Sequence, residues 1–429
     1  MELRDPLARL RAIPWAALAP TVDAACQALG PVLAGVSVER ALDRLLRAHP
    51  ALSREERQAL VEAVFGVALW RRRLTEDFAR TEPRVLLMLL LRDLGGLDEQ
   101  TARGVTRLHG PAPAEADGQL GLTIDPADKN WQQRWSMPGA IANELVRALG
   151  EQDAARFAQA VCAPGPVTLR TNTLRTTRDR LMDSLRAEGR ACEPAPFAPQ
   201  GVRVTSARPN LLGTQASKAA WFEAQDEGSQ LLGALVQARP GERVLDACAG
   251  AGGKSLQLAC EVGTAGRVFA ADVDATRLLR LGARAKAAGA SMVELVSQEA
   301  LETLEVDCAL VDAPCSELGP LRRGPDARWR LDARTFGVLP ALQLEILQRA
   351  ARCVRAGGRL VYATCTVRRE ENEEVAIAFE RAQPRFQRVR PAAATTFIVD
   401  GADTQGPVFR ALPHLHDTDG FFAAVWHKS

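Results

Sequence analysis

Two cysteines stand where a thiol could do chemistry. Cys315 lies in Asp312-Ala313-Pro314-Cys315-Ser316 and Cys365 in Tyr362-Ala363-Thr364-Cys365-Thr366, each directly after a predicted strand. Parallel strands of one sheet end on the same edge, so both thiols project where ligands gather. A single buried cysteine is ordinarily an apolar filler, but two at strand ends, beside the acid Asp312, point to a reactive site. A third segment, DACAGAGGKS from Asp246 to Ser255, follows a strand and opens a helix. Its glycines Gly250, Gly252 and Gly253 permit a tight turn and close ligand approach, and the helix N-terminus beyond favours an anionic group. Gly253, Lys254 and Ser255 match the end of a phosphate-binding P-loop, but that motif needs a glycine where this chain has Cys248. The following strand ends in Ala270-Ala271-Asp272, the position at which an acid accepts hydrogen bonds from a ribose diol, so Asp272 is the expected ribose ligand. On spacing alone a dinucleotide and S-adenosylmethionine both fit this loop.

The thiols favour the second. Carbon 5 of a pyrimidine is too poor a nucleophile to take a methyl group directly, but a thiolate adding at carbon 6 pushes electron density onto carbon 5. The carbon 5 proton must then leave and the thiolate be expelled, which calls for a base and for a second thiol to assist. Asp312, near ring N3 and the exocyclic amine, would stabilise the charge built up during attack.

The elements that must position these groups are legible in outline. Beyond residue 225 strands and helices alternate, with strands expected at Arg243–Asp246, Val268–Ala271, Val293–Val296, Cys308–Asp312 and Arg359–Ala363. That alternation predicts an α/β Rossmann-like domain with a doubly wound, mostly parallel sheet over residues 225–429. Residues 131–224 read as a small α/β subdomain: Val167–Arg170 is extended, Thr177 caps a helix bearing Leu181 and Leu185, Gly189 ends it, and Gly201–Val204 is extended again. Residues 1–130 read as an all-α domain plus linker. Val38, Leu42, Leu45 and Leu46 share a helix face, Ser53 and Glu56 form a capping box, and Val85–Leu91 is a buried helix. The Pro-, Ala-, Asp- and Gly-rich stretch Gly110–Trp135 reads as the linker, with a boundary near residue 130.

Length and composition set the frame. At 429 residues the chain exceeds a single compact domain, and its 47% hydrophobic and 25% charged residues exclude collagen-like and largely disordered classes. The longest purely apolar run, Val85–Leu91, is too short to cross a membrane, and the N-terminus has no secretory pattern, so a cytosolic protein is expected. A net charge of +2 does not by itself argue for nucleic acid. Nine cysteines without a Cys-x-x-Cys pair, and only five histidines, argue against a metal site or a disulfide framework.

DACAGAGGKS, AAD, VDAPCSELGPLRRGPDARWR (Val311–Arg330), YATCTVRREEN (Tyr362–Asn372) and DGFF (Asp419–Phe422) together resemble the bacterial Sun/Fmu and Nop2 family of RNA cytosine-5 methyltransferases. The helical N-terminus resembles the NusB-like RNA-binding domain of its small-subunit rRNA members, and RTNTL (Arg170–Leu174) the opening of its middle subdomain. The resemblance implies S-adenosylmethionine as cofactor and 16S rRNA as partner, acted on by a monomer. It implies Cys365 as nucleophile and Cys315 as the aid to product release, an order the residues alone do not supply. It implies Cys248, Ala249, Gly250, Ala251, Gly252, Gly253, Lys254, Asp272 and Asp312 as cofactor-pocket residues, with Asp312 also facing the base. Three positions depart from the pattern: Gly250-Ala251 replaces Ala-Pro, Glu317 replaces the glycine of Ser-Gly, and Gln298, or Glu299 with a one-residue shift, stands for the adenine-binding acid. Gln298 can still hydrogen-bond an amino group, so cofactor binding is expected to be weakened and not lost.

Arg322, Arg323, Arg328, Arg330 and Arg334, with Trp329 among them, suit RNA with one base unstacked. Arg71–Arg73 form a second basic patch. Three readings stay open: an RNA cytosine-5 methyltransferase acting on rRNA or tRNA; a DNA or small-molecule methyltransferase of the same fold; and a catalytically weakened RNA-binding or ribosome assembly factor.

Overall fold

The computed structural model describes residues 3–74, 82–109, 130–206, 209–324, 326–331, 336–401 and 405–429. The chain forms two compact units, Met1–Pro164 with Leu321–Ala333, and Gly165–Pro320 with Arg334–Ser429.

The first unit is helical. Ser53 N–H donates to Glu56 Oε2 at 2.8 Å and Glu56 N–H to Ser53 Oγ at 3.2 Å, the expected capping box at the head of the helix Arg54–Leu74. Val85–Leu91 lies in the helix Pro83–Asp93 and is fully buried, as its unbroken apolar character predicts. The stretch Trp15–Leu33 is long and apolar enough to cross a membrane by composition, but it is a 3-10 turn leading into an α-helix, and Leu18, Val22, Ala25, Leu29 and Val32 are buried in the core of this unit. The helices Trp131–Arg134, Gly139–Leu149 and Glu151–Ala160 pack with this unit, which extends to Pro164. Most of the expected Gly110–Trp135 linker, residues 110–129, lies outside the described residues, as does Arg334.

Two residues of the cluster read above as RNA-facing, Arg328 and Trp329, are bound inside this unit, while Arg323 and Arg330 are exposed. Arg328 is buried and donates to the carbonyls of Val161 at 3.3 Å and Trp135 at 3.4 Å. Trp329 Nε1 donates to Ala68 O at 2.7 Å and its ring lies beneath the Arg71 guanidinium. Asp326 accepts from Val38 N–H and pairs with Arg330 at 3.1 Å. Arg71–Arg73 are likewise engaged, with Val32 O, Met137 O and Arg134 O as acceptors. A charge run shows composition only; here the charges satisfy backbone carbonyls left by helix ends and turns.

The second unit holds two sheets. The smaller has the order β2-β3-β1-β4, from β1 (Val167–Thr171), β2 (Cys192–Pro194), β3 (Gly201–Val204) and β4 (Phe222–Ala224), all antiparallel. Thr177 caps the helix Arg178–Ala187 as predicted, and Leu181 and Leu185 are buried against the sheet.

The larger sheet begins with five parallel strands: β5 (Arg243–Asp246), β6 (Arg267–Ala270), β7 (Val293–Leu295), β8 (Val306–Asp312) and β9 (Val354–Thr364). Their spatial order is β7-β6-β5-β8-β9, so the winding reverses between β5 and β8 and opens a crevice at the carboxyl ends of those two strands. Beyond β9 the sheet continues antiparallel through β10 (Phe386–Val389), β11 (Ile398–Val399), β12 (Val408–Ala411) and β13 (Phe421–Lys428). This edge escaped the sequence reading, which recognised strands by the helices separating them. The central strands are buried on both faces, with Val244, Leu245, Val268, Cys308, Leu310 and Val361 inaccessible to solvent.

Candidate active site

The loop after β5 turns back on itself before the helix Gly253–Val262. Ala249 N–H donates to Ala271 O at 2.9 Å and Gly252 N–H to Ala249 O at 2.8 Å. Gly252 adopts φ +90°, a conformation that favours glycine, and a Cβ there would lie 2.0 Å from Leu281 Cδ1, so that side chain would have to shift. Asp272, just past β6, accepts from Gly250 N–H and from Asp274 N–H, each at 2.8 Å. One backbone donor per oxygen leaves the carboxylate with further lone pairs facing the crevice.

Below the loop lies a chain of charge. Lys254 Nζ sits 2.6 Å from Asp312 Oδ2, and Ser255 Oγ donates to Asp246 Oδ2 at 2.6 Å. Burial works against charge on Lys254, but Asp312 and Asp246 outweigh it and raise its pKa. Burial, with the charge of Asp312, pushes the Asp246 carboxyl up to about 6 despite the Ser255 hydrogen bond.

The loops after β8 and β9 bring the thiols together: Cys315 Sγ and Cys365 Sγ are 3.3 Å apart, and Cys365 N–H donates to Cys315 Sγ at 3.4 Å. The hydrogen bond with Cys315, burial, and the nearby charges of Asp312 and Glu317 raise the Cys365 pKa well above that of an ordinary thiol. Cys365 is thus protonated at neutral pH in the absence of ligands.

Three sequence motifs whose roles were not assigned individually hold these loops. Glu371 accepts from Ser316 N–H, Gln343 Nε2 and Arg368 Nη1, each at 2.9 Å. Ser316 and Thr366 hydroxyls meet at 2.8 Å, and Asn372 accepts from Thr364 Oγ1 at 2.6 Å while donating to Thr366 O. Gly319 N–H donates to Cys365 O at 2.9 Å, and Gly420 N–H, in the terminal DGFF, donates to Gly319 O at 3.1 Å. A Cβ on Gly319 would fall 2.0 Å from Gly420 O and 2.7 Å from Cys365 O. The loop carrying Cys315, the loop carrying Cys365 and the start of β13 are therefore fastened backbone to backbone.

One cavity of about 380 Å³ joins Cys248, Gly250, Asp272, Gln298, Asp312, Cys315, Glu317 and Cys365. Of the expected cofactor residues, Ala249, Ala251, Gly252, Gly253 and Lys254 do not line it. Ala249 is buried behind the loop, Ala251 is exposed, and Lys254 reaches the cavity through Asp312. Gln298, and not Glu299, lines the wall, and its Oε1 already accepts from Arg349 Nη1 at 3.0 Å. Sequence reading missed the opposite wall, where Leu342, Glu345, Ile346 and Arg349 come from the helix Leu339–Cys353. That helix shows only an ordinary amphipathic pattern, so nothing local marks it. Glu317 takes φ +54°, a left-handed conformation that a glycine would adopt without strain. Among the described residues no group of three or more His, Cys, Asp or Glu is placed to hold a metal ion.

The sequence model of the family described as 16S rRNA methyltransferase RsmB/F matches residues 234–427, and that of an RsmF/B-like ferredoxin-like domain matches residues 137–210. A curated relative from Synechocystis, the probable ribosomal RNA small subunit methyltransferase B, is 30% identical over 91% of this chain and 95% of its own length. The chain belongs to the RsmB/F methyltransferase family. Its fold is shared with the solved structure of PH0851, at a TM-score of 0.78 and 23% identity, covering 97% of this chain and 99% of that one. It is shared too with NSun6 from Pyrococcus horikoshii, solved with the ligand SFG, at a TM-score of 0.61 and 20% identity over 68% of this chain and 98% of that one. Family membership agrees with the sequence resemblance and with the Rossmann-like sheet.

Proposed function

We propose that this RsmB/F family member is an RNA methyltransferase that modifies carbon 5 of a cytosine in 16S rRNA, using S-adenosylmethionine and a covalent adduct to Cys365. The observation that carries the reading is the pair of thiols 3.3 Å apart, in one cavity with Asp312, Asp272 and the glycine loop. The cavity fits the cofactor: Gly250 leaves room where a side chain would intrude, and Asp272 keeps lone pairs for a ribose diol. Relatives named as small-subunit rRNA methyltransferases, and a structural neighbour solved with the S-adenosylmethionine analogue SFG, support substrate and cofactor. The cofactor supplies an electrophilic methyl group; the chain supplies the rest.

The Cys365 sulfur adds to carbon 6 as its proton passes to ring N3, forming one S–C bond and leaving the displaced ring electron pair nucleophilic at carbon 5. Asp312, with Oδ2 bound to Lys254, has Oδ1 available to accept from the exocyclic amine and to pass the thiol's proton to ring N3, so that no net negative charge is left on the ring. After methyl transfer a base removes the carbon 5 proton, and the S–C bond breaks to return the Cys365 thiolate; Cys315, in hydrogen-bond contact with it, assists that release. The helical unit, resembling a NusB-like domain, adds RNA affinity, and the whole acts as a cytoplasmic monomer. Because Trp329 and Asp326 are bound within that unit, a chain truncated near residue 130 would take Ala68 O from the first and Val38 N–H from the second.

One observation favours the reverse order of the thiols: Cys315 Sγ receives Cys365 N–H and also contacts its thiol, so hydrogen-bond donors are aimed at the Cys315 sulfur. A denaturing gel of protein, RNA and cofactor decides between them. With Cys365 as nucleophile, Cys315→Ala accumulates a denaturation-resistant RNA complex, and Cys365→Ala and the double variant form none. A complex in Cys365→Ala alone reverses the order. Methylation persisting in both single variants refutes the covalent mechanism.

A further inference from the structure

The cofactor loop is held from outside by the small sheet. Arg170 on β1 is almost wholly buried, and its Nη1 donates to Gly253 O at 2.5 Å and to the side chain of Gln225. Its register partner across the β1–β4 pair is Glu223. Glu223 accepts from Arg284 Nη2, and Arg284 Nη1 donates to Ala251 O. Two carbonyls of the glycine loop are thus bound by two guanidinium groups, one on the small sheet and one ion-paired to it.

The rest of the RTNTLR segment works on the same element. Asn172 Nδ2 donates to Ala288 O at 2.9 Å, and Arg175 donates to Ala288 O and Ala287 O, each at 3.2 Å. These are terminal carbonyls of the helix Ala275–Ala288, which otherwise lack helical partners. That helix carries Arg284 and also Leu281, the side chain packed against Gly252. Gly252, Ala251 and Gly253 are therefore all located by groups anchored on the small sheet.

We infer that the small sheet is a fastener for the cofactor loop, with Arg170, Glu223 and Arg284 as positioning residues. This rests on reading that loop as the S-adenosylmethionine site. The loop needs such a device because Gly250, Gly252 and Gly253 give it many conformations to lose on binding, and charge-assisted hydrogen bonds to its carbonyls restrict them in advance.

The test is hydrogen exchange of the peptide spanning residues 247–256 in the full-length protein without ligand, with S-adenosylmethionine affinity measured by calorimetry in parallel. Arg284→Met and Glu223→Gln alter partly exposed groups and so remain informative if Arg170→Met fails to fold. In Arg284→Met the loop amides should exchange roughly 10-fold faster with the thermal midpoint little changed, since the opening is local. Cofactor affinity should fall about 3- to 10-fold, the worth of one net hydrogen bond. Glu223→Gln should show the same changes to a smaller degree, because Arg284 keeps its contact with Ala251. Unchanged loop exchange in both variants overturns the inference whatever the affinity does. Faster loop exchange in a protein whose wild type binds no S-adenosylmethionine supports the fastener and refutes the cofactor reading instead.

Discussion

Gly319→Ala tests the geometry that would aim Cys365, the proposed nucleophile, without touching either thiol. The added methyl would sit 2.0 Å from Gly420 O and 2.7 Å from Cys365 O, where ordinary contact begins at 3.4 Å. Neither neighbour is the flexible tip of a side chain. The Cys315 loop must therefore draw back from β13 by about 1.4 Å, the difference between 2.0 and 3.4 Å, and the 2.9 Å bond from Gly319 N–H to Cys365 O is strained or lost. Overpacking of this kind costs roughly 1–3 kcal/mol of stability. A displacement of about 1 Å between reacting groups can cost about 10²-fold in rate. Single-turnover transfer of a tritiated methyl group should fall by about that factor, with cofactor affinity nearly unchanged because Asp272 and the glycine loop lie elsewhere along the cavity. Gly337→Ala, where an added Cβ meets nothing within 4 Å, serves as the control. Wild-type methyl transfer and wild-type thermal stability in Gly319→Ala would refute the view that this backbone junction positions Cys365.

Replacing Asp272 by Ala should weaken S-adenosylmethionine binding by about 1–3 kcal/mol, the cost of a lost charged acceptor, and calorimetry showing no change would remove Asp272 from the site. In Cys315→Ala the Cys365 thiol loses the hydrogen bond that chiefly raises its pKa, so the midpoint of its alkylation by iodoacetamide should move to lower pH; an unaltered profile would show that the pair does not control ionisation. Asp246, raised by burial to about 6 in the fold, holds its proton more tightly folded than unfolded. Its contribution to stability is fully present below its unfolded pKa and is lost as pH rises through about 6. Urea denaturation of Asp246→Asn should accordingly show its stability gaining on wild type between pH 4 and 6 and levelling off above, and parallel pH curves would contradict the burial of an ionising carboxyl here.

Local patterns in the chain determined a good part of this protein. The Ser53–Glu56 capping box, the buried Val85–Leu91 helix and the parallel strands follow from residue spacing, because propensity and apolar period act within one element. The glycine loop, Asp272, Asp312 and both thiols could be named in advance because each ends a strand, and parallel strands deliver their ends to one edge. What only the tertiary structure decided concerns groups far apart in sequence. It set the thiols within 3.3 Å of each other, tied Lys254 to Asp312, and supplied the Leu342–Arg349 wall from a helix without a motif. It also assigned part of the arginine cluster a structural partner, since Arg328 and Trp329 answer carbonyls of Val161 and Ala68 that no window around them contains. Periodicity records which face of an element is apolar, but the partner of a polar side chain is fixed by where the backbone carbonyls of distant elements are left unpaired, and that is a property of the folded chain.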